Sequence, residues 1–334
     1  MRLVQLSHPE KGRSVAVVDE PQLCLLDGSA SVYDLAMEAI EKGISLTDAA
    51  SSKQISEQLD YNPVYEGESK WRLLPPLDHP EQPALCLVAG TGLTHIASAK
   101  NRDAMHAKES DDAPLSDSMK MFQWGVEGGK PAAGEIGVQP EWFYKGDGTV
   151  LRGHNEALDV PKFADDGGEE PEIAGLYVIA PDGLPRRVGF SVGNEFSDHI
   201  MEKKNYLYLA PSKLRTASVG PEVCLDASFE GVSGTVRVER AGDVVWTEEI
   251  STGEANMSHS LSNLEQHHFK YRQHRRPGDV HVHYFGADAF SFGAGVALED
   301  GDVMVVEWQG FGRPLRNPIR INSGQDELVD VCAL

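Results

Sequence analysis

Apolar and polar positions divide the chain into two stretches of different rhythm. In the first, short apolar runs (RLVQL, SVAVVD, QLCLLD) predict strands. They lead into a segment whose apolar residues fall at helical spacing: Val32, Leu35, Ala36, Ala39 and Ile40. Ser31-x-x-Asp34 supplies the start signal of that helix and Gly43 its stop. The proline-rich LLPPLDHPEQP, residues 73–83, reads as a linker. ALCLVAG then predicts a buried strand, THIASAKNRDAMHAK a helix, and SDSMKMFQWGV a further helical segment. Between these last two lies the acidic, small-residue stretch KESDDAPLSD, so residues 104–120 are expected to form a mobile loop without substrate and are a candidate lid.

From residue 129 the rhythm changes to strand. GDG, PDG, PGD and DGD turns alternate with runs such as LYVIA, TVRVERA, VVWTEEI, VHVHYF and VMVVEWQG. Regular strand–helix alternation is missing, which excludes a doubly wound parallel sheet. The expectation is an α+β protein: a small N-terminal α+β domain over residues 1–75 and a β-rich, mixed-sheet domain over 76–334.

Composition narrows the function classes. At 334 residues the chain can bury a large core. A formal charge of −22 argues against nucleic acid or an anionic membrane as partner, since both are bound through basic patches. Cys24, Cys86, Cys224 and Cys332 show no C-x-x-C or framework spacing and read as reduced, buried thiols. MRLVQLSHPEKGR lacks an apolar signal-like core, and no run reaches membrane-spanning length, so a cytoplasmic location is expected.

The chemistry concentrates in three acids. Glu170 and Glu172 lie in EEPEIAGLYVI, where strand geometry aims residues two apart at one face. Two carboxylates held together repel unless a proton or a cation sits between them. A PDG turn joins this run to RRVGFSVGNEFSD, which ends on a third acid, Glu195. An E-x-E pair on a strand also describes an ordinary solvent face. Here the apolar run behind the pair and the acid ending the next strand favour three oxygen ligands on one hairpin, a set suited to magnesium, calcium or manganese better than to zinc.

Other motifs carry less. Gly189-x-Ser191-x-Gly193 matches a nucleophile elbow, but it is flanked by strands rather than opening a helix. Gly90-Thr91-Gly92 lies where a dinucleotide loop would, yet His95 stands at the third glycine position. His281-x-His283, with His259, His267, His268 and His274 nearby, reads as a histidine-lined surface or pocket wall, with metal ligation as the alternative.

Taken in order, several segments resemble the fumarylacetoacetate hydrolase superfamily over roughly residues 73–320. WRLLPPLDHPEQPALCLVAGTGLTH is similar to its opening strand and turn. EWFYKGDGTV resembles its aromatic–lysine segment, with Lys145 in the lysine's place. EEPEIAG and VGFSVGNEFSD resemble the strands that supply the metal ligands, YLYLAPSKLRTASVGPEV the segment with an active-site lysine, here Lys213, and RRPGDVHVHYFG with LEDGDVMVVEWQGFGRPLRNPI the closing strands. The resemblance implies a divalent metal, usually magnesium, held by Glu170, Glu172 and Glu195, and commonly a homodimer.

Departures from the superfamily pattern refine the expectation. Where its hydrolases carry a His and a Glu to activate water, this chain has Ser98 and Asn101. Neither is a competent base near neutral pH. Together with the APSKLR and GNEFSDH wording, this resembles the sugar-acid branch, whose members dehydrate 2-keto-3-deoxy acids. The reading is therefore a magnesium-dependent lyase, Mn2+ or Ca2+ being alternatives, acting on a small keto acid and expected to be a pentonate. A hydrolase or decarboxylase of a diketo acid, and a non-catalytic sugar-acid binding protein, are the alternatives. Lys213 and Glu172 are the expected catalytic residues, with Lys213 pushed down in pKa by a neighbouring dication. Arg215, Thr216, Lys145 and Thr94 are the expected substrate contacts.

Overall fold

A computed structural model describes residues 1–95 and 115–334. All but the first two residues of the predicted 94–108 helix, most of the 104–120 loop, and Ser98 and Asn101 lie outside the described residues.

The first 75 residues form β1 (Arg2–His8), β2 (Gly12–Asp19), β3 (Gln22–Leu26), α1 (Val32–Lys42), α2 (Leu46–Ser51), β4 (Ile55–Asp60), α3 (Tyr61–Tyr65) and β5 (Arg72–Leu74). The helix read from the apolar stripe begins and ends as its caps require. The Ser31 side chain accepts from the Asp34 N–H, and Gly43 turns left-handed at φ 64° while its N–H bonds back to the last turn.

The remaining strands are β6 (Cys86–Gly90), β7 (Phe143–Asp147), β8 (Leu151–Arg152), β9 (Leu158–Val160), β10 (Pro171–Ile179), β11 (Pro185–Asn194), β12 (Ala217–Cys224), β13 (Val232–Arg240), β14 (Asp243–Thr252), β15 (Val280–Tyr284), β16 (Val303–Trp308) and β17 (Leu315–Ile321). Helices occupy Asp117–Gly128, His199–Lys204, Leu209–Lys213 and Leu261–Phe269.

Two mixed sheets result. The larger runs β4-β3-β2-β1-β12-β11-β10-β15-β6-β7 and the smaller β14-β13-β16-β17-β9. The β1–β12 pairing, with Leu3 opposite Val223, carries the N-terminal strands into the large sheet without a break. Glu222 on β12 strengthens that seam, since Arg2 donates to it at 2.7 Å and the Tyr61 hydroxyl at 3.1 Å.

The large sheet is covered on both faces. Val32, Leu35, Ala36 and Ala39 pack with Leu176, Val178, Val219 and Val280 on one side. Ile173, Phe190 and Val192 pack with Val236, Val306, Trp308 and Leu315 of the small sheet on the other. All nine residues of β10 are consequently buried, as a strand covered on both faces must be. This also corrects the reading of His281 and His283. Their strand lies between β10 and β6, so both histidines are interior rather than lining a surface. Cys24, Cys86 and Cys224 are buried, whereas Cys332, expected to be buried, is exposed.

No helix among the described residues is long and apolar enough to cross a membrane.

Candidate metal centre and adjoining cavity

The PDG hairpin forms as its sequence requires, with β10 and β11 antiparallel and Glu172 opposite Gly193. One step beyond the ladder, the Glu195 N–H donates to the Glu170 carbonyl at 2.9 Å, extending the pairing to the two outer acids. Glu172 lies two residues along from Glu170. Glu170, Glu172 and Glu195 therefore converge at the open end of the hairpin, with one carboxylate oxygen of each within 4.8 Å of the others, all three residues buried. Among the described residues this is the sole group of three or more His, Cys, Asp or Glu side chains so arranged.

Two lysines close over the acids. Lys213 ends a short helix and donates to Glu170 Oε1 at 2.6 Å and Glu195 Oε2 at 2.8 Å, with Glu202 at 4.0 Å. Lys145, on β7, donates to Glu195 Oε1 and to the Phe196 carbonyl, the latter at 2.8 Å. Its strand neighbour Phe143 presents its ring to the Lys213 ammonium at 4.8 Å.

Burial and charge set the protonation pattern. Desolvation first, then the charges of Glu195 and Glu170, push Glu172 well above the usual carboxylate range. Desolvation also raises Glu195 to about 7 against the pull of the two lysines. On Glu170, burial acts in the same direction, but Lys213 and His199 outweigh it and hold the group well below its ordinary value. Burial depresses Lys145. It opposes the charge on Lys213 too, yet Glu170, Glu195 and Glu202 prevail and hold that ammonium above the ordinary lysine value. The fall expected for Lys213 thus requires added positive charge among the carboxylates; the cage by itself raises it.

The set fits a hard divalent cation. Glu172 Oε2 accepts the Gly286 N–H at 2.6 Å, while its Oε1 is buried with no hydrogen-bond partner among the described residues. A buried carboxyl oxygen without a partner carries a desolvation cost that a cation would repay, the cation replacing the proton that burial otherwise favours on Glu172.

The other sequence candidates lie further out. The Arg215 guanidinium binds Asp198 at 2.9 Å, and the Thr216 hydroxyl accepts the Asp159 N–H at 3.0 Å, so both brace the lysine segment. Thr94 donates to the Phe285 carbonyl at 2.6 Å, beside the Gly286 that holds Glu172. Ser191 is interior to β11 and donates to the Glu222 carbonyl at 2.7 Å, which leaves no nucleophile elbow.

Beside the acids opens a cavity of about 380 Å³, lined by His199, Glu202, Lys203, Tyr206, Phe290 and Phe292 among others. His199 links the two, its Nε2 lying 3.1 Å from Glu170 Oε1. Glu141 reaches the same wall, where its Oε2 accepts the Tyr206 hydroxyl at 2.8 Å. Sequence reasoning passed over His199, Glu141 and Glu202. The one available signal was proximity: His199 stands four residues after Glu195 and Glu141 four before Lys145.

No family model matches the chain. A curated relative, a probable 2-keto-3-deoxyxylonate dehydratase of Haloferax volcanii, is 31% identical over 130 residues, which is 35% of this chain and 40% of the relative. The matched stretch thus spans well under half of that relative's length. Among solved structures, 2-keto-3-deoxyarabinonate dehydratase superposes with a TM-score of 0.70 at 18% identity, covering 97% of this chain and 100% of the other. Its complex with magnesium and 2,5-dioxopentanoate gives 0.69 at 19%, with the same coverage. A 5-carboxymethyl-2-hydroxymuconate delta-isomerase from Mycobacterium smegmatis gives 0.54 at 17%, covering 96% of this chain and 100% of the isomerase. At these identities the likeness establishes the fold.

Proposed function

We propose that this chain, which has the fold of the fumarylacetoacetate hydrolase superfamily, is a divalent-metal-dependent hydro-lyase that removes water from a 2-keto-3-deoxy sugar acid, a pentonate foremost. The observation that carries the reading is the buried trio of Glu170, Glu172 and Glu195 with an unpartnered oxygen on Glu172. The names of the relatives support the substrate class. Magnesium is the proposed ion, as in the complex of the structural neighbour. When bound, it would supply Lewis acidity to the keto oxygen and so acidify the C3 protons.

The chain's own residues then have defined tasks. Lys213, held as an ammonium by its carboxylates, offers fixed positive charge to an anionic substrate. Lys145, depressed by burial, sets the charge of Glu195. Glu202, which lines the cavity, and Glu141, which accepts the hydroxyl of the cavity residue Tyr206, are carboxylates outside the trio. In this scheme one accepts the C3 proton and the other delivers a proton to the C4 hydroxyl, which leaves as water. Phe290 and Phe292 form an apolar wall that limits bulk water at the reacting carbons. The reading also makes the protein a cytoplasmic homodimer of sugar-acid breakdown.

The test is turnover on a panel of 2-keto-3-deoxy acids, with and without chelator. A chelator-sensitive reaction yielding a dioxo acid supports the proposal. Pyruvate with a second fragment would replace it with C–C cleavage, and tight binding without turnover under any divalent cation would replace it with a binding protein.

A further inference from the structure

Residues 290–292, Phe-Ser-Phe, grip the metal centre at two points without touching the metal-binding oxygens. Ser291 takes both oxygens of Glu169: its N–H donates to Oε1 at 2.6 Å and its hydroxyl to Oε2 at 2.8 Å. Glu169 is wholly buried and, among the described residues, forms no ion pair. A buried carboxylate held by hydrogen bonds from Ser291 and its own backbone N–H, with no ion pair, is costly for stability alone. Its chain neighbour is Glu170. On either side of Ser291, the rings of Phe290 and Phe292 hold the His199 imidazole, with centroids at 4.8 and 5.1 Å and the Phe290 ring nearly parallel to it at 12°. That imidazole bonds Glu170 Oε1. Gly168 leaves room for the arrangement, since a Cβ there would come within 2.6 Å of His199 Nδ1.

We propose that Phe290, Ser291 and Phe292 form a clip that fixes Glu170 for cation binding, through Glu169 on the backbone side and through His199 on the side-chain side. The proposal rests on the reading that the glutamate trio takes a divalent cation. These are positioning residues. Groups that orient a metal-binding carboxylate alter affinity for the ion even though none contributes a ligand atom. Because the two phenylalanines also wall the cavity, the clip ties the shape of the substrate's space to the geometry of the metal centre.

The test is magnesium chloride titration by calorimetry on the full chain, after removal of bound metal. Thermal melting of each metal-free variant separates folding from binding. Phe290→Leu, Phe292→Leu and His199→Ala are each expected to weaken magnesium about tenfold or more, and Phe290→Tyr, which keeps a stacking ring, to bind within about twofold of the parent. The sharper measurement is a double-mutant cycle. If the ring acts through the imidazole, Phe290→Leu adds little further loss in the His199→Ala background. Ser291→Ala, a mild change that removes the Glu169 Oε2 bond, is expected to weaken magnesium severalfold and serves where a ring variant does not fold. Lowered melting temperatures with unchanged magnesium affinity, or additive effects in the cycle, would overturn the clip and leave the metal centre standing. A parent protein that takes up no divalent cation would overturn both.

Discussion

The backbone N–H of Gly286 donates to Glu172 Oε2 at 2.6 Å, and Glu172 Oε1 is buried without a hydrogen-bond partner among the described residues. One oxygen of the acid is thus fixed by the loop after β15.

Glu172→Gln is expected to separate stability from function. Burial and the charges of Glu195 and Glu170 disfavour the ionised form, so the neutral isostere removes the cost of taking up a proton there on folding. The metal-free variant should be more stable by about 1–3 kcal/mol in urea melts. It should lose the added stability that magnesium gives the parent, and its turnover should fall by a factor of about a hundred or more.

Lys213→Met should act in the opposite direction. It strips Glu170 and Glu195 of a buried ammonium bonded to both. Removing one partner of a buried ionic cluster costs about 3–5 kcal/mol. Chemical denaturation without metal should show that loss, and saturating magnesium should restore part of it.

Glu141→Gln and Glu202→Gln distinguish proton transfer from metal binding. Each should lower kcat by about a hundredfold or more. Magnesium affinity by calorimetry should stay near the parent value. A large change in affinity with kcat intact would remove these residues from the proton-transfer role.

Stability should fall on acidification from about pH 6.5 toward 3, through the buried histidines. The Trp142 indole donates to His268 Nδ1 at 3.1 Å, so His268 Nε2 carries the proton and donates to His281 Nδ1 at 2.9 Å. Burial pushes His281 and His283 down to about 3 and His268 well below its ordinary value. In this window the unfolded chain binds protons that the folded rings refuse, so stability rises with pH and is fully present above about 6.5. Each such histidine contributes up to about 1.4 kcal/mol per pH unit. Melts between pH 7 and 5 should show a shallower slope for His281→Phe than for the parent.

Much of the centre was legible in sequence because its parts are local. The E-x-E pair, the turn and Glu195 belong to one hairpin, whose two-residue period and register place the acids together. Lys145 and Lys213 came from ordered resemblance, and both reach the acids. The Ser31 and Gly43 caps were likewise local. What escaped depends on contacts distant along the chain. The Glu169–Ser291 bonds and the Phe290–His199 stack join segments roughly a hundred residues apart, and no spacing rule reports them. His281-x-His283 reads as a histidine-lined surface or pocket wall, but the preceding helix Leu261–Phe269 folds back over it, with His268 bonded to His281 and stacked on His283, a packing that period-two spacing does not report. Arg215 and Thr216 lie two and three residues after Lys213, yet pack against Asp198 and the Asp159 backbone, because the chain turns away after the lysine.

Crystals soaked in manganese chloride and measured at the manganese absorption edge decide whether the three glutamates hold a cation. The account predicts one anomalous peak bonded to an oxygen from each of Glu170, Glu172 and Glu195, with Lys145 or Lys213 displaced from the oxygens it now holds. Density showing both lysines still seated on the carboxylates, with manganese elsewhere or absent, would contradict it.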